Sequence, residues 1–309
     1  MSIASLADRI RPRTRLRAAR SHWSARRHAL PDFLILGTQK GGTSSLFDYL
    51  TALPGVITSA TKELHFFTKH SVSNFYDNHG LDWYRSQFPL RSELRQAGAI
   101  TGEATPRYMY EPLAMTRIAR DLPDSRWIVI LREPIERAQS HYEMMTGFGK
   151  EQRSFTDALH DDLKVFIAST STASASAPTR YDNLDYLERG IYTQQLSVIA
   201  GLRPGIPTLV LFSEHLFAGD PTSFSLLHSF LGLPEPEANR FPHSRRGQGT
   251  TTIDPIARER LATFFTENNA GLAELLQSDR FVTVDPTTWP DWVHRGHLPR
   301  APSEDGLIV

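Results

Sequence analysis

The chain has 309 residues, enough to bury a sizeable core, and its 40% apolar and 22% charged residues exclude collagen-like, wholly disordered and multi-span membrane classes. Its 34 basic and 34 acidic side chains leave no net charge, so no whole-molecule field draws it to nucleic acid or an anionic membrane, and any anion binding has to be local. The absence of cysteine excludes disulfides, a thiolate zinc site and a cysteine nucleophile, and fits a reducing or an oxidising compartment alike.

Residues 1–30 come first, with eight arginines between Arg9 and Arg27 and almost no acid. No apolar segment of signal-peptide type follows and no stretch reaches the roughly 20 apolar residues of a spanning helix, so this region reads as a solvated, partly helical basic arm or a weak contact for a membrane surface or polyanion. Residues 32–37, Asp-Phe-Leu-Ile-Leu-Gly, are a continuous apolar run closed by glycine, as in a buried parallel strand. A glycine-rich loop over 37–45 follows, and then Leu46, Tyr49, Leu50 and Leu53 recur at helical spacing up to Pro54-Gly55. Two more buried strands are predicted over 126–132 and 207–212, each leading to a helix, over 134–146 and 221–232. Strand–helix alternation of this kind predicts an α/β protein: a P-loop-like parallel sheet flanked by helices on both faces, in a single domain over 31–285, with a C-terminal tail over 286–309. The small-residue, low-complexity stretch 165–180 is expected to be a mobile loop.

The loop carries the first chemistry. Consecutive small residues let backbone N–H groups converge on an anion, and the helix behind adds the partial positive charge of its N-terminus. A nucleotide-binding P-loop places lysine after its last glycine and a magnesium-holding hydroxyl after the lysine. Here Lys40 precedes Gly41 and Gly42, and Thr43, Ser44 and Ser45 follow. A second segment, Arg132-Glu-Pro-Ile-Glu-Arg-Ala-Gln-Ser140, leaves the predicted central strand and enters a helix. An arginine at a strand end and a serine one to two turns into the next helix suit a second phosphate, the arginine through forked charge-assisted bonds and the serine through its hydroxyl. Two anion sites imply a ligand with two separated phosphates.

These segments, with Lys62-Glu-Leu-His-Phe-Phe67, Gly102-Glu-Ala-Thr-Pro106, Gly190-Ile-Tyr192, Phe-Leu-Gly-Leu-Pro at 230–234 and Arg246-Gly-Gln-Gly-Thr250, resemble the sulfotransferases that use 3′-phosphoadenosine 5′-phosphosulfate (PAPS). The likeness runs from about Phe33 to about Leu276 and is greatest to heparan sulfate N- and 3-O-sulfotransferase-type domains and their bacterial relatives. It implies that Lys40, Gly41, Gly42, Thr43 and Ser44 hold the 5′-phosphosulfate, that Arg132 and Ser140 hold the 3′-phosphate, and that Arg246 and Gly247 close over the nucleotide. The relatives read Lys-Gly-Arg at that last loop, and Arg245 is the neighbour that stands in for the missing guanidinium; a solvated surface pair is the other reading of Arg245 and Arg246.

The resemblance also places Glu63 as the base that activates the acceptor. Desolvation among the aromatics of 63–67 would raise its proton affinity towards the working pH. His65 is the alternative base, an orienting partner or, on its own, a satisfied packing histidine, and Lys40 neutralises the departing 5′-phosphate. No metal is chemically required. The implied activity is transfer of a sulfuryl group from PAPS to a hydroxyl or amine of a small-molecule or carbohydrate acceptor. The alternatives are a magnesium-dependent small-molecule kinase and a non-catalytic nucleotide- or glycan-binding module. Ala104 stands where relatives often carry a lysine, which argues against an extended anionic glycan. Phe66, Phe67, Tyr76, Trp83, Tyr84, Tyr108 and Tyr110 read first as core aromatics and otherwise as surface for a smaller ring-bearing acceptor. A bacterial-type, cytoplasmic enzyme is expected, without nucleic-acid or integral-membrane partners and with homodimer formation left open.

Overall fold

The computed structural model describes residues 25–68, 75–171, 185–235, 241–242 and 253–295. Strands β1 (Phe33–Gly37), β2 (Gly102–Ala104), β3 (Arg126–Leu131), β4 (Thr208–Phe212) and β5 (Phe281–Val282) form one sheet in the order β2-β1-β3-β4-β5, parallel throughout. Helices α1 (Thr43–Thr51), α2 (Phe75–Arg85) and α3 (Arg91–Ala97) lie between β1 and β2, and α4 (Pro112–Asp121) between β2 and β3. Next come α5 (Pro134–Gly147), α6 (Phe155–Ser171) and α7 (Tyr192–Leu202), then β4. The chain continues through α8 (Ser213–Ala218), α9 (Pro221–Leu231), α10 (Pro255–Asn268) and α11 (Leu272–Leu276) to β5, and α12 (Asp291–His294) follows.

Local chemistry sets several helix starts. Glu133, Asp220 and Asp254 each precede a proline, and their carboxylates accept from the backbone N–H groups of Glu136, Ser223 and Ala257, capping α5, α9 and α10. Proline at the first helical position costs nothing there, because its missing N–H would have had no intrahelical partner.

Alternating strand residues feed two cores. Trp127, Val129 and Leu131 face the layer of α4 and α7, whereas Ile128 and Ile130 face α1 and α9. Both faces of the sheet are therefore covered, as the apolar runs predicted. A third cluster joins α5, α6 and α10 through Ile135, Ala138, Phe155, Leu159, Leu261 and Phe265.

Three expectations shift. Residues 165–171, expected in a loop, are the last turns of α6, because adding residues to an existing helix needs no new nucleus; residues 172–180 lie outside the described residues. Past the expected boundary at 285, Trp289 and Val293 are buried in the first core, so the packed region extends to α12. At the other end, Ala25 and Ala29 are also buried, so packing starts before 31.

From β1 the chain moves outward to β2 and then returns across β1 to β3. The carboxyl ends of β1 and β3 thus flank a topological switch point, where open α/β sheets form their ligand crevices.

Candidate active site

The loop after β1 is pinned to the neighbouring strand: Thr38 N–H donates to the Ile130 carbonyl at 2.8 Å, and Gly41 N–H closes a turn on the Thr38 carbonyl at 3.0 Å. Gly41 has no room for a side chain, since a Cβ there would stand 2.7 Å from the Ile130 oxygen. Gly42, the N-cap residue just before α1, has φ of 103° and no side chain with which to cap the first turn. A helix end of this form leaves its first N–H groups for an anion. Lys40 adopts φ of 71°, a left-handed conformation costing a non-glycine residue about 1–2 kcal/mol, and its carbonyl accepts from Arg132 Nη1 at 3.2 Å.

Arg132 is the first residue past β3, where the end of the strand delivers it to the loop. Its own carbonyl accepts from the Tyr192 hydroxyl at 2.7 Å, and its second guanidinium nitrogen is 3.7 Å from Glu136. Beneath, the wholly buried Arg137 reaches the Gln39 carbonyl and donates to the Tyr186 carbonyl. Burial drives its guanidinium down to about 10. Arg137 and Tyr192 thus fix the loop and Arg132 from behind, a role that the sequence did not reveal. Ser140, two helical turns beyond the start of α5, lines the same cleft as Arg132 and the loop.

Opposite them stands Glu63. Its N–H donates to the Ala104 carbonyl at 3.0 Å, which hangs the segment on the end of β2. Glu63 and His65 both have positive φ, 62° and 52°. With Lys40 they are the non-glycine residues of this kind among the described residues, and all three line the cleft. Such strain gathers at functional sites. Lys62 donates to Glu63 Oε1 at 2.7 Å and to Ser44 Oγ at 2.9 Å, while His65 Nε2 lies 3.5 Å from Glu63 Oε2. The expected rise in the proton affinity of Glu63 is reversed. Burial by itself pushes the carboxyl up, but the hydrogen bond from His65 and the charge and hydrogen bond of Lys62 outweigh it and hold the group at about 2. Glu63 is a standing carboxylate, 36% exposed, on the cleft wall.

Lys40, Gly42, Thr43, Ser44, Glu63, His65, Arg132 and Ser140 line one cleft of about 540 Å³; Gly41 lies buried beneath the loop. Arg245, Arg246 and Gly247 lie outside the described residues. The seven candidate aromatics do not line the cleft. Phe66, Phe67, Tyr84 and Tyr108 are fully buried in the first core, and Trp83 stacks on Phe66 at 5.9 Å. Tyr76 and Tyr110 donate to Asp121 and Glu188. Tyr84, Tyr108 and Thr105 instead satisfy the buried Glu103 carboxyl through their hydroxyls, at 2.7, 3.1 and 2.8 Å, and burial raises its pKa. The cleft lining also includes Phe217, Arg107 and, past Ser140, Met144, Met145, Phe148 and Lys150, none of which carried a motif.

No family model matches the chain. The human heparan sulfate glucosamine 3-O-sulfotransferase 3B1 is 29% identical over 204 residues, covering 66% of this chain and 46% of that protein. The human bifunctional heparan sulfate N-deacetylase/N-sulfotransferase 3 is 25% identical over 276 residues, 80% of this chain and 30% of that one. The chain therefore spans less than half the length of these curated relatives. Among solved structures, a sulfotransferase from Alicyclobacillus acidocaldarius superposes with a TM-score of 0.63 at 26% identity, over 81% of this chain and 97% of its own.

Proposed function

We propose that this chain, a member of the sulfotransferase family by its relatives and its fold, moves a sulfuryl group from PAPS to a hydroxyl or amine of an acceptor by in-line displacement. The observation that carries this reading is the junction at Lys62, whose ammonium touches both the phosphate-loop serine Ser44 and the carboxylate of Glu63. It puts an anion cradle and a proton acceptor within one side chain of each other.

In this reading the loop from Lys40 to Ser44 takes the 5′-phosphosulfate, and Arg132 and Ser140 take the 3′-phosphate. PAPS supplies the transferable sulfuryl group and a phosphate leaving group. Glu63 receives the acceptor proton. Its low pKa makes it a weak base but one that is always ionised, which suits a reaction in which the proton leaves as the new bond to sulfur forms. Lys40 meets the charge that develops on the departing phosphate oxygen, and His65 and Lys62 keep Glu63 aimed across the cleft. Roles for Arg245, Arg246 and Gly247 in closing over the nucleotide belong to the same reading.

The test is ligand-dependent stability together with transfer. Adenosine 3′,5′-bisphosphate is expected to raise the Tm of the full chain well above the shifts given by AMP or ATP, without magnesium, because a ligand that binds only the native state stabilises it. Labelled PAPS is then expected to deliver its sulfuryl label to an acceptor. An equal Tm shift with ATP that depends on magnesium would replace this reading with a kinase, and bisphosphate binding without any transfer would replace it with a binding module.

A further inference from the structure

Part of the cleft is not used by the groups assigned to the donor, and that part includes an apolar patch past Ser140. Met144, Met145 and Phe148 follow Ser140 at the end of α5 and just beyond it. Met145 is anchored in the third cluster, whereas Phe148 is 62% exposed at the cleft rim. A large exposed ring beside flexible thioether side chains, in a concave site with a few polar groups, is the arrangement that binds an apolar ligand body.

The charges of the same cleft set a limit on how anionic that ligand is. The lysines and arginines among the described residues that line the cleft are Lys40, Arg107, Arg132 and Lys150, and Lys62 stands beside Glu63. Lys40 and Arg132 are committed to the donor in the reading above. Lys62 is held by Glu63 and Ser44, and Arg107 by the fully buried Glu111. Lys150, exposed at the rim three residues from Gly147, forms no side-chain hydrogen bond or ion pair with another described residue. A polyanionic chain needs several such cations; among the described residues this wall of the cleft offers one.

We infer that the acceptor is an amphiphile, an apolar chain or ring that carries the nucleophilic hydroxyl or amine and one anionic group, with its apolar body on Met144 and Phe148 and its anion at Lys150. The inference rests on the proposed sulfuryl transfer. The acceptor oxygen or nitrogen forms its bond to sulfur as the bond from sulfur to the 5′-phosphate oxygen breaks. The departing oxygen keeps the electron pair, and the acceptor proton passes to Glu63. The products are a sulfate ester or a sulfamate, and adenosine 3′,5′-bisphosphate.

The experiment gives the full chain labelled PAPS with four probes below their micelle-forming concentrations: ω-hydroxylaurate, ω-aminolaurate, lauryl alcohol and an unsulfated heparosan oligosaccharide. One of the two laurates is expected to show kcat/KM about tenfold or more above both lauryl alcohol and the oligosaccharide. Phe148→Ala is expected to raise KM for that laurate about tenfold, the equivalent of losing one phenyl contact, with the Kd for the bisphosphate unchanged. Lys150→Ala is expected to remove the advantage of the laurate over lauryl alcohol. An oligosaccharide turned over as well as the laurates, or a Phe148→Ala protein with parental KM, overturns the inference while leaving the donor reading intact. If no probe is sulfated, calorimetric binding of ω-hydroxylaurate decides: binding lost in Phe148→Ala supports the apolar subsite, and no binding overturns it. Failure to bind the bisphosphate overturns the donor reading instead, and the same calorimetry without nucleotide still reads the subsite.

Discussion

The Lys62 ammonium stands 2.9 Å from the hydroxyl of Ser44, eighteen residues earlier in the chain. Because the same nitrogen is 2.7 Å from Glu63 Oε1, the proposed phosphate loop and the proposed base share one cation. That cation is only partly exposed, at 17%, so its attraction for Glu63 is less screened than that of a surface pair. With the hydrogen bond from His65, the arrangement explains why burial, which alone would protonate Glu63 more readily, ends in the opposite result.

Replacing Lys62 with methionine tests this electrostatic link. The Glu63 carboxyl is depressed to about 2, so the ionised form prevails at every pH above that, and protonation removes the base only as pH falls through about 2. In Lys62→Met the acid limb of kcat/KM is expected to move to higher pH by about 1–3 units, the usual effect of losing an opposite charge at this range. The sign for stability agrees: the favourable contribution of the ionised Glu63 is present above its unfolded pKa and is lost as pH falls towards 2. A limb that stayed in place would leave His65 as the dominant partner.

The two residues assigned to the 3′-phosphate are not equivalent. Ser140→Ala removes a single hydroxyl, and calorimetry is expected to show weaker binding of adenosine 3′,5′-bisphosphate with unchanged binding of AMP. Arg132→Ala removes a charge-assisted contact, expected to cost about 1.5–3 kcal/mol, and also releases the Lys40 carbonyl from Nη1. It is therefore expected to weaken AMP binding as well. Parental affinity for the bisphosphate in both variants would mean that the second phosphate binds elsewhere.

Gly41→Ala probes the loop through the backbone. The new methyl would meet the Ile130 carbonyl at 2.7 Å and the Thr38 side chain at 2.8 Å, so β3 and the loop have to separate. Thermal unfolding is expected to show a loss of about 1–3 kcal/mol, the scale of overpacking, along with weaker bisphosphate binding. Gly201→Ala is the control. Nothing lies within 4 Å of that position in α7, and a helical alanine is expected to leave stability equal or up to about 1 kcal/mol higher.

How much of this was legible in the sequence depended on whether each feature leaves a local pattern. The run from Phe33 to Gly37 and its glycine loop did, because a fully buried parallel strand needs an unbroken apolar stretch and the turn into α1 needs small residues. β2 and β5, with three and two residues, are too short to carry any periodicity. The motif around Glu63 was visible, but its electrostatics were not. They depend on left-handed backbone at Glu63 and His65 that no residue type there announces, and on Lys62 reaching across to α1. The aromatics near Glu63 read first as core, which they are, but a binding surface stayed open because composition does not distinguish a ring facing a ligand from one packed inside. Of the phenylalanines that do line the cleft, Phe148 and Phe217, the first sits in an undistinguished stretch after α5 and the second in the short helix α8.

The sharpest test of chemistry against binding is Glu63→Gln. Glutamine keeps the size and much of the hydrogen-bonding capacity of the side chain, and Lys62 can still donate to its carbonyl oxygen, but it takes up no proton. Binding of adenosine 3′,5′-bisphosphate is expected to match the parent, while turnover on a confirmed acceptor falls by roughly 10²–10⁴-fold, the scale of general-base catalysis. Lys40→Ala is expected to damage both, since that side chain is assigned to the donor in the ground state and to the charge that grows as the leaving bond breaks. The pair separates the roles only if their profiles differ. A Glu63→Gln protein with parental turnover would move the base to His65, 3.5 Å away and 40% exposed to the same cleft, and His65→Asn would then be expected to show the loss that Glu63→Gln did not.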